Sequence, residues 1–207
     1  MWFGINKPCV RLYSFSVSSV ELTTGTGNGS PLLGALDSLT GGLASPVAPT
    51  TAILNLDLVL QVNNTNPYRL DYKQLEPGSV EIPASMLNGP TDSLGYFPVG
   101  SWDLVNGTLP GSSASLLPVS VSAEIGLDDP ATTGLAPMFV SGGEMSFLIE
   151  GIIRGTGWVP WLRGDVTFRC LAHVDDILQF GAHSSEPQCQ STLGVEGVTS
   201  QDCWVPV

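Results

Sequence analysis

Positive charge is scarce in this sequence. The chain of 207 residues has only 7 Lys and Arg against 19 Asp and Glu, which gives a formal net charge of −12. No Lys or Arg occurs between Lys73 and Arg154, and none follows Arg169. Proteins that contact nucleic acid or anionic lipid through a basic surface need clustered Lys and Arg side chains. The composition therefore argues against nucleic-acid binding and against electrostatic attraction to an anionic membrane.

Several sequence signatures of enzymes and membrane proteins are also missing. We find no apolar run long enough to span a membrane, no complete signal peptide, no Cys-x-x-Cys spacing and no Gly-x-Ser-x-Gly motif. These absences argue against a zinc site with clustered ligands and against a hydrolase with a nucleophile elbow. We expect a protein without enzymatic activity, cofactor or bound metal.

Two small groups of polar residues could be taken for a metal site or a catalytic pair, but each is better explained by a solvated strand face. His173 falls on the polar face of a predicted strand, and its nearness to Asp175 and His183 is weak support for a metal site. Glu144 and Glu150 share the polar face of another predicted strand. A solvated face explains this pair better than a general acid and base.

Helical periodicity is absent, and period-two alternation takes its place. No segment repeats apolar residues every 3.6 positions over ten residues, whereas the segment from Thr51 to Tyr72 alternates clearly. Side chains of one parity share one face of an extended strand. That face is predicted to lie in the core and consists of Leu54, Leu56, Leu58, Leu60 and Val62.

Further strands are predicted along most of the chain. In the first strand, Tyr13, Phe15 and Val17 share one parity, and the phase changes at Ser18-Ser19, which indicates a β-bulge. Other extended segments are predicted at 68–75, 79–82, 96–105, 117–125, 145–153 and 164–174. Short strands separated by turn residues are typical of an antiparallel β-sandwich.

The predicted sandwich occupies residues 9–174. A segment at 23–50, rich in Gly, Ser, Thr and Pro, is long for a connection and is interpreted as an inserted surface loop. Residues 175–207 form an acidic, Cys-containing C-terminal tail. Residues 1–8 form an N-terminal arm whose apolar start fits two hypotheses. It is either the end of a membrane-spanning helix that lies upstream of residue 1, or a native start followed by a short arm.

Three Asn-x-Ser/Thr acceptors and an even number of cysteines favour an oxidising, extracytoplasmic compartment. Asn63 and Asn106 are the better candidates for glycosylation because both fall in predicted turns. Asn28 precedes Ser30-Pro31, which usually disfavours modification. We expect the protein to be extracellular or on the cell surface.

The four cysteines, Cys9, Cys170, Cys189 and Cys203, allow several disulfide patterns. We favour Cys189–Cys203, which closes a loop of about 15 residues and contributes about 3 kcal/mol in the chain-entropy model. Cys9 then pairs with Cys170, unless Cys170 stays a reduced, buried thiol. In the competing pattern, Cys9–Cys203 or Cys170–Cys189 joins the tail to the sandwich and makes it part of the domain.

The segment Trp158-Val-Pro-Trp161-Leu162 is the best candidate for an interface. Two Trp side chains in a short turn either pack back on the sandwich or contact a partner protein or a membrane interface. We favour packing, and we keep the interface as a hypothesis to test.

The order of these features resembles a known family. A Leu-alternating strand runs into Asn64-Thr65-Asn66-Pro67, then a Tyr, and the last strand reads Asp165-Val-Thr-Phe-Arg-Cys170. This resembles the group 2 late embryogenesis abundant domain, also called the water-stress and hypersensitive response domain, and most of all its membrane-anchored, harpin-induced-like branch. The resemblance covers roughly Pro8 to Val174. Thr65 departs from the family's Asn-Pro-Asn, and neither the 23–50 insertion nor the Cys-containing tail is a family feature.

The resemblance implies an immunoglobulin- or fibronectin-III-like sandwich of about seven strands without catalytic residues. It also implies a structural role for the Asn-Pro turn. Related domains are associated with stress tolerance, with surface signalling and, in some branches, with lipid contact. We therefore expect a surface or membrane-associated domain for structural assembly, adhesion or stress protection, with a membrane or a protein assembly as partner. A domain that binds or transfers lipid or another small apolar ligand is the alternative.

Overall fold

Most of the described chain is β-strand. The computed structural model describes residues 9–23, 30–31, 50–86, 95–127, 132–156, 163–179 and 188–193. Its strands, numbered β1 to β11, are Cys9–Thr23, Ser30–Pro31, Thr51–Asn64, Leu70–Gln74, Gly78–Pro83, Tyr96–Trp102, Gly107–Leu109, Ser113–Gly126, Met145–Thr156, Arg163–Val174 and Gln188–Leu193. The described helical elements are the 3-10 turns Ala84–Met86 and Thr133–Leu135 and the α-helix Ala136–Ser141.

Two antiparallel sheets pack against each other. The first sheet has the order β2-β1-β3-β8. In the second sheet, β11, β10 and β9 lie side by side, and both β4 and β5 pair with the far edge of β9. β7 then pairs with β4, and β6 pairs with β5. The predicted antiparallel β-sandwich is confirmed.

The second sheet contains two strands that the sequence did not predict, β7 and β11, whereas the break between β4 and β5 falls between the predicted segments 68–75 and 79–82. Pro77 cannot donate a backbone hydrogen bond, and the chain breaks between β4 and β5 just before it. The gap between β6 and β7 is filled by Gln74, whose amide nitrogen donates to the Trp102 carbonyl at 3.1 Å and whose amide oxygen accepts from the Leu104 N–H. About seven strands were expected, and the described residues contain eleven.

The core face of β3 follows the predicted alternation. Its five apolar residues from Leu54 to Val62 are at most 2% exposed. β3 is central in the first sheet, with β1 on one side and β8 on the other. Gln61, on the opposite face, is nevertheless only 8% exposed. Arg11 on β1 donates to its amide oxygen, so the neighbouring strand covers a polar side chain that alternation assigned to solvent.

Strand β1 contains two bulges. The register against β3 shifts between Val17 and Ser19, which confirms the bulge expected at Ser18-Ser19. It also shifts between Leu12 and Ser14, which was not expected. The second bulge turns Tyr13 outward, where it is 55% exposed, while Phe15 is fully buried. The prediction that Tyr13 and Phe15 share a face was therefore wrong.

Aromatic side chains fill the space between the sheets. Phe15 of the first sheet meets Phe147 of the second with ring centroids 5.1 Å apart. Within the second sheet, Trp102 lies 5.8 Å from Phe168. A Cβ atom at Gly151 would come within 2.7 Å of the Trp102 ring and 2.9 Å of the Phe168 ring. Glycine at this position is what allows the two rings to approach across β9.

Part of the acidic tail belongs to the sandwich. β11, which lies within the predicted tail 175–207, pairs with β10 from Val166↔Leu193 to Leu171↔Gln188. A terminal segment as polar as this one is expected to fray unless a further link holds it. A disulfide between Cys189 and Cys170 supplies that link and joins the tail strand to β10.

Candidate functional site

The Asn-rich turn after β3 joins two crossings of the chain between the sheets. Asn64 is completely buried, and its amide nitrogen is directed at the carbonyl oxygens of Tyr68, Pro110 and Leu109, at 2.9, 2.9 and 3.3 Å. Its amide oxygen accepts from the backbone and side-chain N–H groups of Asn66, at 3.1 and 2.9 Å. The Asn66 carbonyl in turn accepts from the Ser112 N–H at 2.7 Å. Asn side chains therefore bind backbone groups in this turn, as a structural role requires.

This turn is therefore an architectural element. It links the β3–β4 crossing, which leaves the first sheet, to the β7–β8 crossing, which returns to it. Every donor and acceptor of the buried Asn64 amide has a protein partner, as buried polar groups require. No hydrogen-bonding capacity is left in this side chain for a ligand.

The glycosylation acceptors lie in different settings. Asn63 is a partly exposed residue of β3, flanked by Cys9 and Ala114 on the neighbouring strands. Our prediction that it sits in a turn was wrong by two residues, because β3 continues to Asn64. Asn106 is exposed and lies in the irregular segment between β6 and β7. Asn28 lies outside the described residues, so Asn106 is the most accessible acceptor that the structure describes.

One disulfide connects β11 to β10. Cys170 and Cys189 face each other in register, with their Cα atoms 4.1 Å apart, and their sulfur atoms are bonded. The favoured pairings Cys189–Cys203 and Cys9–Cys170 are wrong, as is the reduced thiol considered for Cys170. The short loop that favoured Cys189–Cys203 took no account of strand pairing. The pairing of β10 with β11 places Cys189 opposite Cys170 instead. Cys9 is also disulfide-bonded, and Cys203 lies outside the described residues.

Non-reducing peptide mapping tests this pattern. Digestion of the protein in its oxidised form is expected to yield a linked peptide pair that contains Cys170 and Cys189. Cys9 is expected in a second linked pair with Cys203, the one cysteine of the sequence that remains. A linked peptide pair that joins Cys189 to Cys203 would contradict the register of β10 and β11.

The candidate interface formed by Trp158, Trp161 and Leu162 lies outside the described residues. β9 and β10 pair up to Thr156↔Arg163, so the segment connects the ends of a described hairpin. At its base, the Arg154 guanidinium donates two hydrogen bonds to the Asp165 carboxylate, at 2.6 and 2.7 Å. These hydrogen bonds raise the pKa of Arg154 above its ordinary value. A bidentate pair of this kind fixes the geometry of the strands that carry the segment.

The outer face of the second sheet carries a surface that the sequence did not reveal. The Arg169 guanidinium lies over the Tyr96 ring, 5.3 Å from its centroid, and also pairs with the Glu150 carboxylate. Leu148 points away from the main core yet is only 3% exposed, and its strand neighbour Leu171 is partly exposed. We call Tyr96, Leu148, Glu150, Arg169 and Leu171 the outer patch. Its members come from three strands, β6, β9 and β10, and are far apart in sequence. No local sequence motif therefore predicts the patch.

The histidine group is a surface network. The His173 ring nitrogen Nδ1 lies 2.9 Å from the Ser146 hydroxyl, and Nε2 lies 3.7 Å from Asp175 and 3.9 Å from Glu144. Glu150 pairs with Arg169, whereas Glu144 lies near His173. The two carboxylates therefore have different partners and do not form one site. Across the ranges described above, no three His, Cys, Asp or Glu side chains are grouped so that they could hold a metal ion. His183 lies outside those ranges.

None of the helices in the described part of the chain is long and apolar enough to cross a membrane. No protein-family model matches this chain, and no curated protein matches it either.

Proposed function

We propose that this protein is a non-enzymatic β-sandwich domain displayed at a cell surface or the outside of a membrane, where it serves structural assembly, adhesion or stress protection. The outer patch is the observation that carries this proposal. Tyr and Arg are enriched at the energetic centres of protein interfaces, and here they stack on each other beside partly exposed Leu171. A disulfide in the sandwich is compatible with an extracellular location.

The resemblance to the group 2 late embryogenesis abundant domain supports the same proposal. Its most specific motif runs from Val62 to Tyr72 and falls on the turn in which Asn64 and Asn66 are buried and hydrogen-bonded. A structural role for that motif agrees with a domain that presents a rigid surface. The candidate interface at Trp158 and Trp161 would add a second, aromatic contact at the end of the β9–β10 hairpin.

Native mass spectrometry of the protein extracted from its source is the first test. A carrier of lipid or small apolar ligands would need space between β3 and β8 on one side and the second sheet on the other. The residues of β3 and β8 that face the second sheet are buried in one continuous hydrophobic core. We expect assemblies larger than the monomer without bound lipid. Co-purifying lipid in stoichiometric amount would reject the proposal in favour of the carrier.

A second test compares exposed apolar residues in different places. Tyr96→Ala is expected to weaken assembly, and the pair Trp158→Ala and Trp161→Ala tests the hairpin separately. Val105→Ala is the control, because Val105 is 85% exposed and lies outside the outer patch. Sedimentation velocity of each variant measures the association. Equal association of Tyr96→Ala and Val105→Ala would exclude the outer patch as the contact.

Glycan occupancy tests the proposed location. We expect the intact mass of protein from its natural source to exceed that of the bare polypeptide, with most of the excess removed by Asn106→Gln. Asn63→Gln is expected to remove less, because Asn63 is only partly exposed within a strand. An intact mass equal to that of the polypeptide would contradict the glycosylation and weaken the proposed extracellular location.

A further inference from the structure

Strand β11 is a polar edge strand that a disulfide joins to β10. It pairs only with β10 within the described residues, and it lies at the edge of the second sheet. Four of its six residues are Gln, Ser or Thr, and Leu193 is its one apolar residue besides Cys189. So little apolar surface contributes little free energy of burial. The expected Cys9–Cys203 pair tethers the chain ten residues beyond the end of β11. Within β11 itself, the Cys170–Cys189 bond is the covalent link that keeps the strand on the sandwich.

The two sulfur atoms of this disulfide differ in their surroundings. Cys170 is completely buried among core residues. Cys189 is partly buried and packs against the core from its margin. Its sulfur accepts a hydrogen bond from the Leu12 N–H of the first sheet at 3.0 Å. Through Cys189, the tail strand thus contacts both sheets.

We propose that Cys189 is a site of thiol–disulfide exchange at which a small thiol becomes attached and releases β11. The thiolate attacks the Cys189 sulfur and forms a new sulfur–sulfur bond with it, while the Cys170–Cys189 bond breaks. The electron pair leaves on the Cys170 sulfur, which takes up a proton and becomes a thiol. Disulfide exchange depends on which sulfur the thiolate can reach, and only Cys189 is partly open to solvent.

The products of this exchange are compatible with a folded sandwich. A neutral Cys170 thiol suits an apolar interior, since free cysteine behaves there as a small hydrophobic residue. The original bond closes again only when the Cys170 thiolate attacks the Cys189 sulfur and expels the small thiol, and an apolar interior disfavours that thiolate. The residues of β11 then keep only their backbone pairing with β10, and the Leu12 N–H loses its sulfur acceptor when the strand departs. Departure of β11 leaves β10 as an unpaired edge, a surface on which an extended strand of another chain can pair.

Peptide mapping locates the exchange. The full-length, oxidised protein is incubated with excess reduced glutathione, quenched with acid and digested without reductant. We expect the glutathione adduct on Cys189 and a free thiol on Cys170. An adduct on Cys170, or no adduct on either residue, would overturn the proposal. The double variant Cys9→Ser and Cys203→Ser keeps Cys170 and Cys189 as its only cysteines and is expected to give the same adduct.

Hydrogen exchange tests the release of the strand. In the glutathione adduct, amides of β11 are expected to exchange at least about tenfold faster than in the oxidised protein, as a locally opened segment does. Amides of β3 are expected to keep their protection and so report that the sandwich stays folded. The variant Cys189→Ser should show the same pattern without any thiol. Unchanged protection of β11 in both the adduct and the variant would show that the disulfide does not hold the strand.

Discussion

Replacing Asn64 with Asp is expected to destabilise the domain by at least about 3 kcal/mol, because a buried charge without a donor costs more than a neutral group. The Asn64 amide nitrogen faces three carbonyl oxygens within 3.3 Å. A carboxylate of the same shape cannot donate to them and places negative charge against three acceptors. The Asn66 donors can still bind the other oxygen, so the loss arises on the side of the amide nitrogen.

The effect of this substitution should depend on pH. Burial among carbonyl oxygens favours the protonated form of the new carboxyl, so its pKa in the folded state is raised above the unfolded value of about 3.9. A raised folded-state pKa gives stability that is present at low pH and is lost as the pH rises through that pKa. The stability difference between Asn64→Asp and the unmodified protein should therefore narrow as the pH falls towards about 4.

Urea titration of unglycosylated protein measures both effects. Asn63→Asp is the matched control, since it makes the same chemical change at the adjacent residue, which is partly exposed on the outer face of β3. We expect its free energy of unfolding to change by less than about 1 kcal/mol, as for most surface substitutions. Equal losses for Asn63→Asp and Asn64→Asp would contradict the hydrogen-bonded turn.

Replacing Phe15 with Ala is expected to lower the free energy of unfolding by about 3–5 kcal/mol, as removal of a buried aromatic ring does. Phe15 is fully buried and contacts Phe147 of the opposite sheet at a centroid distance of 5.1 Å. Loss of the ring removes apolar contact between the two sheets and leaves a cavity that the flanking strands can close only in part. Phe15→Leu, which keeps most of the apolar volume, is expected to cost less.

Tyr13→Ala is the control for this substitution. Tyr13 is two residues away on the same strand and would share a face with Phe15 if β1 were regular. The bulge between Leu12 and Ser14 exposes it instead. We expect Tyr13→Ala to change stability by less than about 1 kcal/mol, as surface substitutions usually do. Comparable losses at both positions would show that β1 is regular through this segment.

The alternation of side chains determined much of the fold. The core face of β3, the two-faced pattern of β8 and the bulge at Ser18-Ser19 follow from residue parity. Parity is a local property, because successive side chains of a strand point to opposite sides wherever that strand lies. The Asn-Pro turn, for which the resemblance implied a structural role, is also the place where Asn side chains bind backbone groups.

Only the tertiary structure decided which strands are neighbours and in what register. The Cys170–Cys189 bond, the contact of Arg169 with Tyr96 and the cover that Arg11 gives to Gln61 all join residues far apart in the chain. Parity gives a residue's face but not the residue opposite it on the next strand. That choice depends on bulges, breaks and strand order, which shift the register by single residues. For this reason the sequence predicted the sandwich and its core face, and it offered Cys170–Cys189 only as the less favoured of two disulfide patterns. The choice between the patterns, the pairing of the tail strand and the outer patch were decided by the folded chain.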